Sequence, residues 1–247
     1  MPFTRTPQVV NRSVISSLLS CRPVGYEEFT DVSAGLAHDV DELVAEFGEI
    51  FERSEIERVV DESAKQLEGA AVASFVPILA HRFARERLRA QAQAEGKLAK
   101  VAPEIVFVSI TGGGRARMAA SLLERIAGDS ANVHTAGADD ASRGIDANVR
   151  LAMEELGIDL SEKFTRPITE EVLASADVVV TMGRSVGAVR IPDTARHLDW
   201  RVGDPTGAEL EEVRRVRDDI ERRVSQLVSD LQKLTAAAAR AGEPYQG

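Results

Sequence analysis

One stretch of the chain, residues 104–120, combines the pattern of a buried strand, a glycine-rich turn and the start of a helix. The apolar run Ile105–Val108 leads into the polar, glycine-rich residues 109–114, and helix-forming residues follow from Arg115. This order predicts a strand, a tight loop and a helix. Such a loop points backbone N–H groups inward at the positive end of a helix, which favours binding of an anion. The predicted anion-binding residues are Ser109, Ile110, Thr111, Gly112, Gly113, Gly114 and Arg115.

The glycine pattern of this loop excludes two common nucleotide-binding motifs. No Gly-Lys-Ser/Thr follows it, as a Walker sequence requires, and contiguous glycines do not match the G-x-G-x-x-G spacing of dinucleotide sites. Arg115 supplies a planar set of donors that matches a tetrahedral oxyanion. A glycine-rich turn can also be no more than a tight connection, so the loop alone is a weak indication of function.

The chain before the loop has the pattern of a small helical module. From residue 32 to residue 96, apolar residues recur at spacings of three and four, which is typical of amphipathic helices. This pattern predicts a three-helix bundle over residues 31–96, followed by a linker over residues 97–103. Because so short a module buries little core, we expect it to pack on a second copy and form a homodimer. Residues 1–30 lack periodicity and are predicted to be an extended arm or disordered tail.

The chain after the loop alternates between strand and helix patterns. The predicted strands are residues 105–108, 132–136, 176–182 and 197–199, and the predicted helices start at Arg115, Ile145, Thr169 and Leu210. This alternation predicts an α/β domain over residues 104–236, with a parallel sheet covered by helices on both faces. The helical periodicity places Ile126 and Leu234 on buried faces, and residues 237–247 are predicted to be a disordered tail.

Composition and charge argue against several classes of function. The net charge of −10 argues against nucleic acid as a partner, and the aromatic content of 4% argues against base stacking. The one cysteine, Cys21, excludes an intrachain disulfide and is interpreted as incidental, the alternative being a redox or partner-linking thiol. His38 and His81 lack a convergent ligand cluster, so no metal and no cofactor are predicted. No apolar run approaches the roughly 20 residues that span a bilayer, and we expect a cytoplasmic protein with no membrane partner.

Ser109 and Arg115 are separated by five residues. This spacing resembles the phosphate loop of low-molecular-weight protein tyrosine phosphatases and the related arsenate reductases, which have Cys, five residues and then Arg. Further similar segments are Thr135–Gly137, Leu156–Leu160, Asp177–Gly183, Asp199-Trp200, Asp204-Pro205 and Arg217–Val224, and residues 83–88 resemble the N-terminal three-helix extension of some actinobacterial arsenate reductases. The resemblance implies a four-stranded parallel sheet flanked by helices, with Asp204 in the position of the family's general acid.

The chain departs from the family at the positions that carry the thiol chemistry. Ser109 stands where the family has its nucleophilic cysteine, Ala116 stands where a serine donates to the thiolate, and Arg184 replaces a cysteine. A serine hydroxyl has a far higher pKa than a thiol, so it needs an adjacent general base. The nearest histidine in the sequence is His134. The disulfide relay that the resemblance implies for arsenate reduction cannot operate with Cys21 alone.

These departures predict an arsenate-reductase- or phosphatase-like protein that is catalytically impaired and binds phosphate, arsenate or a phosphorylated partner. One alternative is a residual hydrolase, in which Ser109 or a water molecule attacks and Asp204 acts as the acid. Another is a dimeric scaffold with an empty relic loop. The candidate catalytic residues are Ser109, at a nucleophile position predicted to be inactive, Arg115 and Asp204.

Three of these residues have a second interpretation. Asp204 can be a capping residue before the last helix, Arg117 can add positive potential or be a solvated helix residue, and Arg184 is interpreted as a loop charge. An engineered Cys-to-Ser substitution accounts for Ser109 alone. Because Ala116, Arg184 and the glycine run depart from the family as well, the sequence favours a natural loss.

Overall fold

The computed structural model describes residues 32–67, 76–109, 114–137, 145–160, 166–183 and 189–241. The predicted arm with Cys21 and residues 242–247 of the predicted tail lie outside the described residues. From Ser33 onward, the described residues belong to one compact unit. No helix within the described ranges is long and apolar enough to cross a membrane.

The three helices predicted before the loop are confirmed. They are α1 (Val32–Phe47), α2 (Arg53–Gln66) and α3 (Val76–Ala94). Residues three and four apart lie on the same side of a helix, so each helix presents one apolar face to the others. The shared core contains Val40, Leu43, Phe47, Phe51, Ile56, Val59, Val60, Ala84, Leu88 and Ala92.

A five-stranded parallel sheet forms the centre of the remaining chain. Its strands are β1 (Glu104–Ser109), β2 (Asn132–Gly137), β3 (Arg166–Pro167), β4 (Val178–Met182) and β5 (Arg196–Trp200). They lie in the order β3-β2-β1-β4-β5, and every neighbouring pair is parallel. All residues of the central strand β1 are buried, as a near-continuous apolar run predicts for a strand covered on both faces. The four predicted strands are confirmed, and the two-residue β3 extends the sheet at one edge.

Three helices cover one face of this sheet. They are α4 (Gly114–Ala127), α5 (Ala147–Glu154) and the long α7 (Leu210–Ala241), and α6 (Glu170–Ala174) lies between β3 and β4 in the chain. The core on this face includes Phe107, Met118, Leu122, Met153, Val213, Ile220 and Val224. The ring of Trp200 packs there against Phe107, with 5.7 Å between the ring centres.

Helix α3 belongs both to the helical module and to the other face of the sheet. Ala90 of α3 packs with Val106 and Val108 of β1 and with Ala136 of β2, in a core that also includes residues of α6. The apolar surface that suggested a partner for the helical module is therefore covered, at least in part, within the chain.

The end of the segment predicted to be a linker is packed against the sheet. Ala102 is buried, and Nζ of Lys100 lies 2.5 Å from Oδ1 of Asp177. The second oxygen of Asp177 accepts a hydrogen bond from the backbone N–H of Glu104 at 2.8 Å. These contacts fix the start of β1 relative to the start of β4.

A partly buried ionic cluster joins α3 to the sheet through His134 of β2. Nδ1 of His134 contacts Glu86 of α3, and Nε2 lies 2.8 Å from Oε2 of Glu104. Side-chain amides of Gln93 and Asn132 donate to the other oxygen of Glu104. Burial alone would lower the pKa of His134, but its hydrogen bonds to Glu104 and Glu86 outweigh this effect and raise the pKa to about 9. His134 is therefore a partly buried cation between two carboxylates at neutral pH.

A second ionic contact ties α3 to two other helices. The guanidinium of the buried Arg87 donates to Glu62 of α2 at 2.9 Å and to Glu171 of α6 at 2.8 Å. Burial raises the pKa of Glu171, but its hydrogen bond from Arg87 is the main reason that the net effect is a lowered pKa. The three-helix module is thus anchored to the α/β layer by charge as well as by apolar packing.

Two predictions of burial were wrong, and one boundary moves. Ile126 near the end of α4 is 39% exposed, and Leu234 in α7 is 58% exposed. Periodicity identifies the inward face of a helix, but it does not show where the neighbouring elements end. Helix α7 continues to Ala241, past the predicted boundary at residue 236.

Candidate active site

The candidate site lies at the carboxyl ends of the two central strands. Ser109 ends β1 and is paired with Met182 at the end of β4. The chain leaves β1 towards β2 on one side of the sheet and later returns to β4 on the other side. In open parallel sheets, such a reversal of strand order opens a crevice beyond the carboxyl ends, where ligands bind.

Helix α4 begins at this crevice. Its first residue, Gly114, is buried, and a Cβ atom placed there would lie 3.6 Å from Val149 and 3.8 Å from Pro205. The backbone N–H groups of the first turn have no partners within the helix, so they give this end a partial positive charge. The predicted anion-binding residues Ile110, Thr111, Gly112 and Gly113 lie outside the described residues.

Arg115 is held at the crevice by its surroundings. Only 4% of the residue is exposed, and Nη2 lies 3.6 Å from Oδ2 of Asp204. The guanidinium also lies against the backbone of Gly183, where a Cβ atom would come within 3.0 Å of Nη2. Gly183 has a φ of +103°, a backbone conformation that favours glycine. A glycine after β4 therefore leaves the space in which the guanidinium sits.

Asp204 lies in a turn rather than at a helix start. Its Oδ1 accepts a hydrogen bond from the backbone N–H of Thr206 at 3.1 Å, and α7 does not begin until Leu210. The interpretation of Asp204 as the cap of the last helix is therefore wrong. Its carboxylate is half-exposed, at 49%, and faces Arg115 from the solvent side of the crevice.

The first turn of α5 contributes residues that the sequence analysis missed. Asp146 caps α5 by accepting from the backbone N–H of Asn148 at 2.9 Å, and its other oxygen accepts from the backbone N–H of Gly207 at 3.2 Å. The side-chain amide of Asn148 donates to the carbonyl of Ala208 at 2.9 Å. An aspartate before a helix is a recognisable capping signal, but its second bond to a turn far along the chain has no local signature.

The other candidate residues near the loop differ in their exposure and in their partners. Ser109 and Ala116 are fully buried, and Arg117 is only 7% exposed, so the interpretation of Arg117 as a solvated residue is wrong. Arg184 lies outside the described residues. His134 lies on β2 and pairs with Val106 of β1. Val106 is three residues before Ser109 on the same strand, so His134 is displaced from Ser109 by about 10 Å along the strand direction. Its two ring nitrogens are engaged by carboxylates, so it does not serve Ser109 as a general base.

The described residues also show no metal centre. No group of three or more His, Cys, Asp or Glu side chains converges as metal ligands do within the described part of the chain. His38 is 75% exposed and lies 3.5 Å from Glu42, and His81 lies 3.6 Å from the same carboxylate.

Three features occur together in this α/β fold: a central parallel strand ends in a hydroxyl residue, a glycine begins the next helix, and a buried arginine faces a turn aspartate. They define an α/β protein with a phosphatase-like site. Comparison with known proteins identifies the group more closely. Residues 104–237 match the family model of the low molecular weight phosphotyrosine protein phosphatases, and residues 36–92 match a model described as the N-terminal domain of protein-tyrosine-phosphatase-like proteins. The chain belongs to the low molecular weight phosphotyrosine protein phosphatase family.

Several similar proteins are arsenate reductases. The solved structure of Corynebacterium glutamicum thioredoxin-dependent arsenate reductase has a TM-score of 0.71 and 31% sequence identity, over 81% of this chain and 98% of that one. An arsenate reductase of Brevibacillus brevis is 33% identical over 123 residues, which is 49% of this chain and 90% of the relative. A relative from Halobacterium salinarum is 36% identical over 129 residues, which is 50% of this chain and 89% of the relative.

Proposed function

We propose that this chain is a catalytically impaired member of its family that binds a tetrahedral oxyanion without thiol chemistry. The ligand is phosphate or arsenate, free or as the phosphoryl group of a partner. The observation that carries the proposal is the buried Arg115 at the carboxyl end of a strand that ends in Ser109 instead of a cysteine.

The loss of catalysis follows from the chemistry of Ser109. A thiolate can be stabilised by backbone N–H groups and a helix terminus, because a thiol ionises near pH 8.5 in water. A serine hydroxyl needs a base within hydrogen-bond reach, at about 2.6–3.2 Å. His134 is about 10 Å away along the sheet and paired with carboxylates. The carboxylate of Asp204 is paired with the guanidinium of Arg115 at 3.6 Å.

Retention of the anion site is supported by the surroundings of Arg115. Gly183 leaves room for the guanidinium, and the start of α4 directs backbone N–H groups towards the same crevice. A charge-assisted contact of a planar guanidinium with an oxyanion needs neither a thiolate nor a metal. We expect weak binding, with a Kd of about 1 mM, which corresponds to about −4 kcal/mol.

The thioredoxin dependence of the Corynebacterium glutamicum relative is not proposed for this chain. Exchange with thioredoxin requires a thiol or disulfide in the partner protein, and the one cysteine of this chain is Cys21. We therefore propose that oxyanion binding is not followed by thioredoxin-linked turnover.

Titration with inorganic phosphate tests the proposal directly. Calorimetry or chemical-shift mapping of the wild-type protein is expected to give saturable binding near 1 mM. Arg115→Ala should abolish it, whereas Arg125→Ala, a change to an exposed arginine at the other end of the same helix, should leave it unchanged. A parallel titration with a phosphotyrosine peptide distinguishes a phosphorylated partner from the free ion.

Two other outcomes would favour the alternatives. Hydrolysis of p-nitrophenyl phosphate that is lost in both Ser109→Ala and Asp204→Asn would identify a residual hydrolase. Absence of phosphate binding in the wild-type protein would identify the loop as a relic and support the scaffold interpretation.

A homodimer assembled through the helices of residues 32–96 stays a prediction. The packing of α3 on the sheet supplies some of the contact that we expected from a second copy. Light scattering on the full chain tests the prediction, because the monomer mass is 26.7 kDa and a dimer has twice that value.

A further inference from the structure

We propose that Asp146 and Asn148 are positioning residues, which hold the turn of Asp204 at a fixed distance from Arg115 and thereby set the affinity of the anion site. This inference rests on the proposed oxyanion-binding function and deepens it. It assigns to the start of α5 a role in the site at the end of β1.

Asp146 uses its two carboxylate oxygens for two different tasks. Oδ1 accepts from the backbone N–H of Asn148 and so caps α5, whereas Oδ2 accepts from the backbone N–H of Gly207. A helix cap needs only one side-chain oxygen. The second oxygen therefore does not serve the helix, and it ties α5 to the turn that follows Asp204.

Asn148 holds the next residue of the same turn. Its side-chain amide donates to the carbonyl of Ala208, so two consecutive backbone groups of the turn are held from α5. Gly207 has a φ of +66° and lies between Asp204 and Ala208, the residue whose carbonyl accepts the second bond. Asp204 accepts from Thr206 within the turn, so a turn fixed at 207 and 208 also fixes the Asp204 carboxylate.

The same turn of α5 also lies beside the start of α4. A Cβ atom at Gly114 would lie 3.6 Å from Val149 and 3.8 Å from Pro205, the residue after Asp204. The first turn of α5 thus contacts both walls of the crevice. Its position determines how far Asp204 lies from the helix end that carries Arg115.

The fixed distance matters because Asp204 and an oxyanion compete for one cation. The Asp204 carboxylate, held 3.6 Å from Nη2 of Arg115, repels an incoming anion. It is also already paired with the guanidinium that the anion would bind. If the α5 contacts are lost, the half-exposed Asp204 can move into solvent, where water and salt screen its charge. The contacts of Asp146 and Asn148 therefore make the anion affinity depend on Asp204.

A double-mutant cycle with inorganic phosphate at pH 7 tests this dependence. In the wild-type background, Asp204→Asn is expected to tighten phosphate binding about fivefold, because it removes a like charge beside the anion. In the background of Asp146→Ser with Asn148→Ala, the same change should alter the affinity by less than about twofold. The serine introduced at position 146 keeps one oxygen to cap α5. Neither the serine nor the alanine introduced at position 148 carries a charge.

A matched control breaks a different attachment of α5. Arg214→Met removes the hydrogen bonds of Arg214 to Glu155, the residue after the other end of α5. Arg217 keeps its own bond to Glu155, and the turn of Asp204 is untouched. The fivefold effect of Asp204→Asn should persist in that background. An equal effect of Asp204→Asn in the wild-type and the Asp146→Ser, Asn148→Ala backgrounds would overturn the proposal.

Amide hydrogen exchange separates failure of this inference from failure of the proposed function. If the wild-type protein binds no phosphate, the proposed function fails, but Asp146→Ser should still accelerate exchange of the Gly207 amide at least tenfold. Unchanged exchange at Gly207 would overturn the positioning role as well. If the double variant does not fold, the cycle is repeated in Asn148→Ala, which keeps the Asp146 cap and carries the same two outcomes.

Discussion

The partly buried cation His134 allows a prediction about the pH dependence of stability. It lies between Glu86 of α3 and Glu104 of β1, and these contacts raise its pKa to about 9 from an ordinary value of 6.5. The perturbation is His134→Gln, which keeps a polar side chain of similar size and cannot carry a positive charge. We expect this variant to lose a contribution to stability that depends on pH.

The magnitude and the sign follow from linkage. A group whose pKa is higher in the folded state binds more protons there, so its stabilising effect is complete below the unfolded value of 6.5 and is lost as pH rises through about 9. One pKa unit is about 1.4 kcal/mol, which gives about 3 kcal/mol for this difference. Burial alone would raise the pKa of Glu104. Its hydrogen bonds from His134, Gln93 and Asn132 have the larger, opposite effect, so the pKa is lowered overall. The contribution of Glu104 is therefore present above 4.5 and is lost as pH falls below that value.

The assay is urea unfolding at several pH values between 6 and 10, monitored by fluorescence. Trp200 is the only tryptophan of the chain, and it is buried against Phe107, so its emission reports on the core of the sheet. The difference in unfolding free energy between wild type and His134→Gln should be largest near pH 6 and should shrink by about 3 kcal/mol towards pH 10. Subtraction of the two curves cancels titration of lysines and tyrosines that both proteins share.

His38→Gln is the matched control, because His38 is exposed and lies on α1. Its unfolding free energy should follow that of the wild type at every pH. A wild-type advantage over His134→Gln that stays constant from pH 6 to pH 10, or that grows, would contradict the role of His134 as a stabilising cation. It would mean that the histidine contributes by packing and not as a cation.

Two further predictions concern the chemistry of the site. The wild-type protein should show no arsenate turnover with thioredoxin or a small thiol, and Ser109→Cys alone should restore little phosphatase activity, because Ala116 lacks the hydroxyl that supports a thiolate in the family; a robust rate in that variant would show that the scaffold is intact. Gly183→Ala should weaken phosphate binding at least tenfold, because its Cβ would lie 3.0 Å from Nη2 of Arg115. Gly157→Ala provides the control: it has a similar strained φ of +72° and open space around it, so it should lower stability by about 1–3 kcal/mol without changing phosphate affinity.

Helix α4 and the four main strands could be predicted from the sequence, because their signals are local. An apolar run such as that of β1 indicates a strand buried on both faces, and the glycines after it indicate a turn. The family resemblance then placed Arg115 and Asp204 in one site, and the ion pair between them is present.

The contacts between distant segments could not be predicted in this way. Asp146 and Gly207 meet because the segments that follow β2 and β5 both leave the sheet at its carboxyl edge, and nothing near either residue indicates the other. The same holds for Glu86 and His134, which are joined only when α3 packs on the sheet. Two amphipathic patterns show that helices bury one face, but the partner of that face depends on the whole topology.

The position of α3 has a consequence for how this gene can be cut and recombined. The boundary between the two family models, from residue 92 to residue 104, separates Ala90 from Val106 and Val108, which pack in a single core. A fragment that starts at β1 would expose part of its central strand to water and leave His134 with one carboxylate fewer. Selection should therefore keep the helical module and the phosphatase-like part together, and limited proteolysis near residue 97 should release pieces that do not remain folded separately.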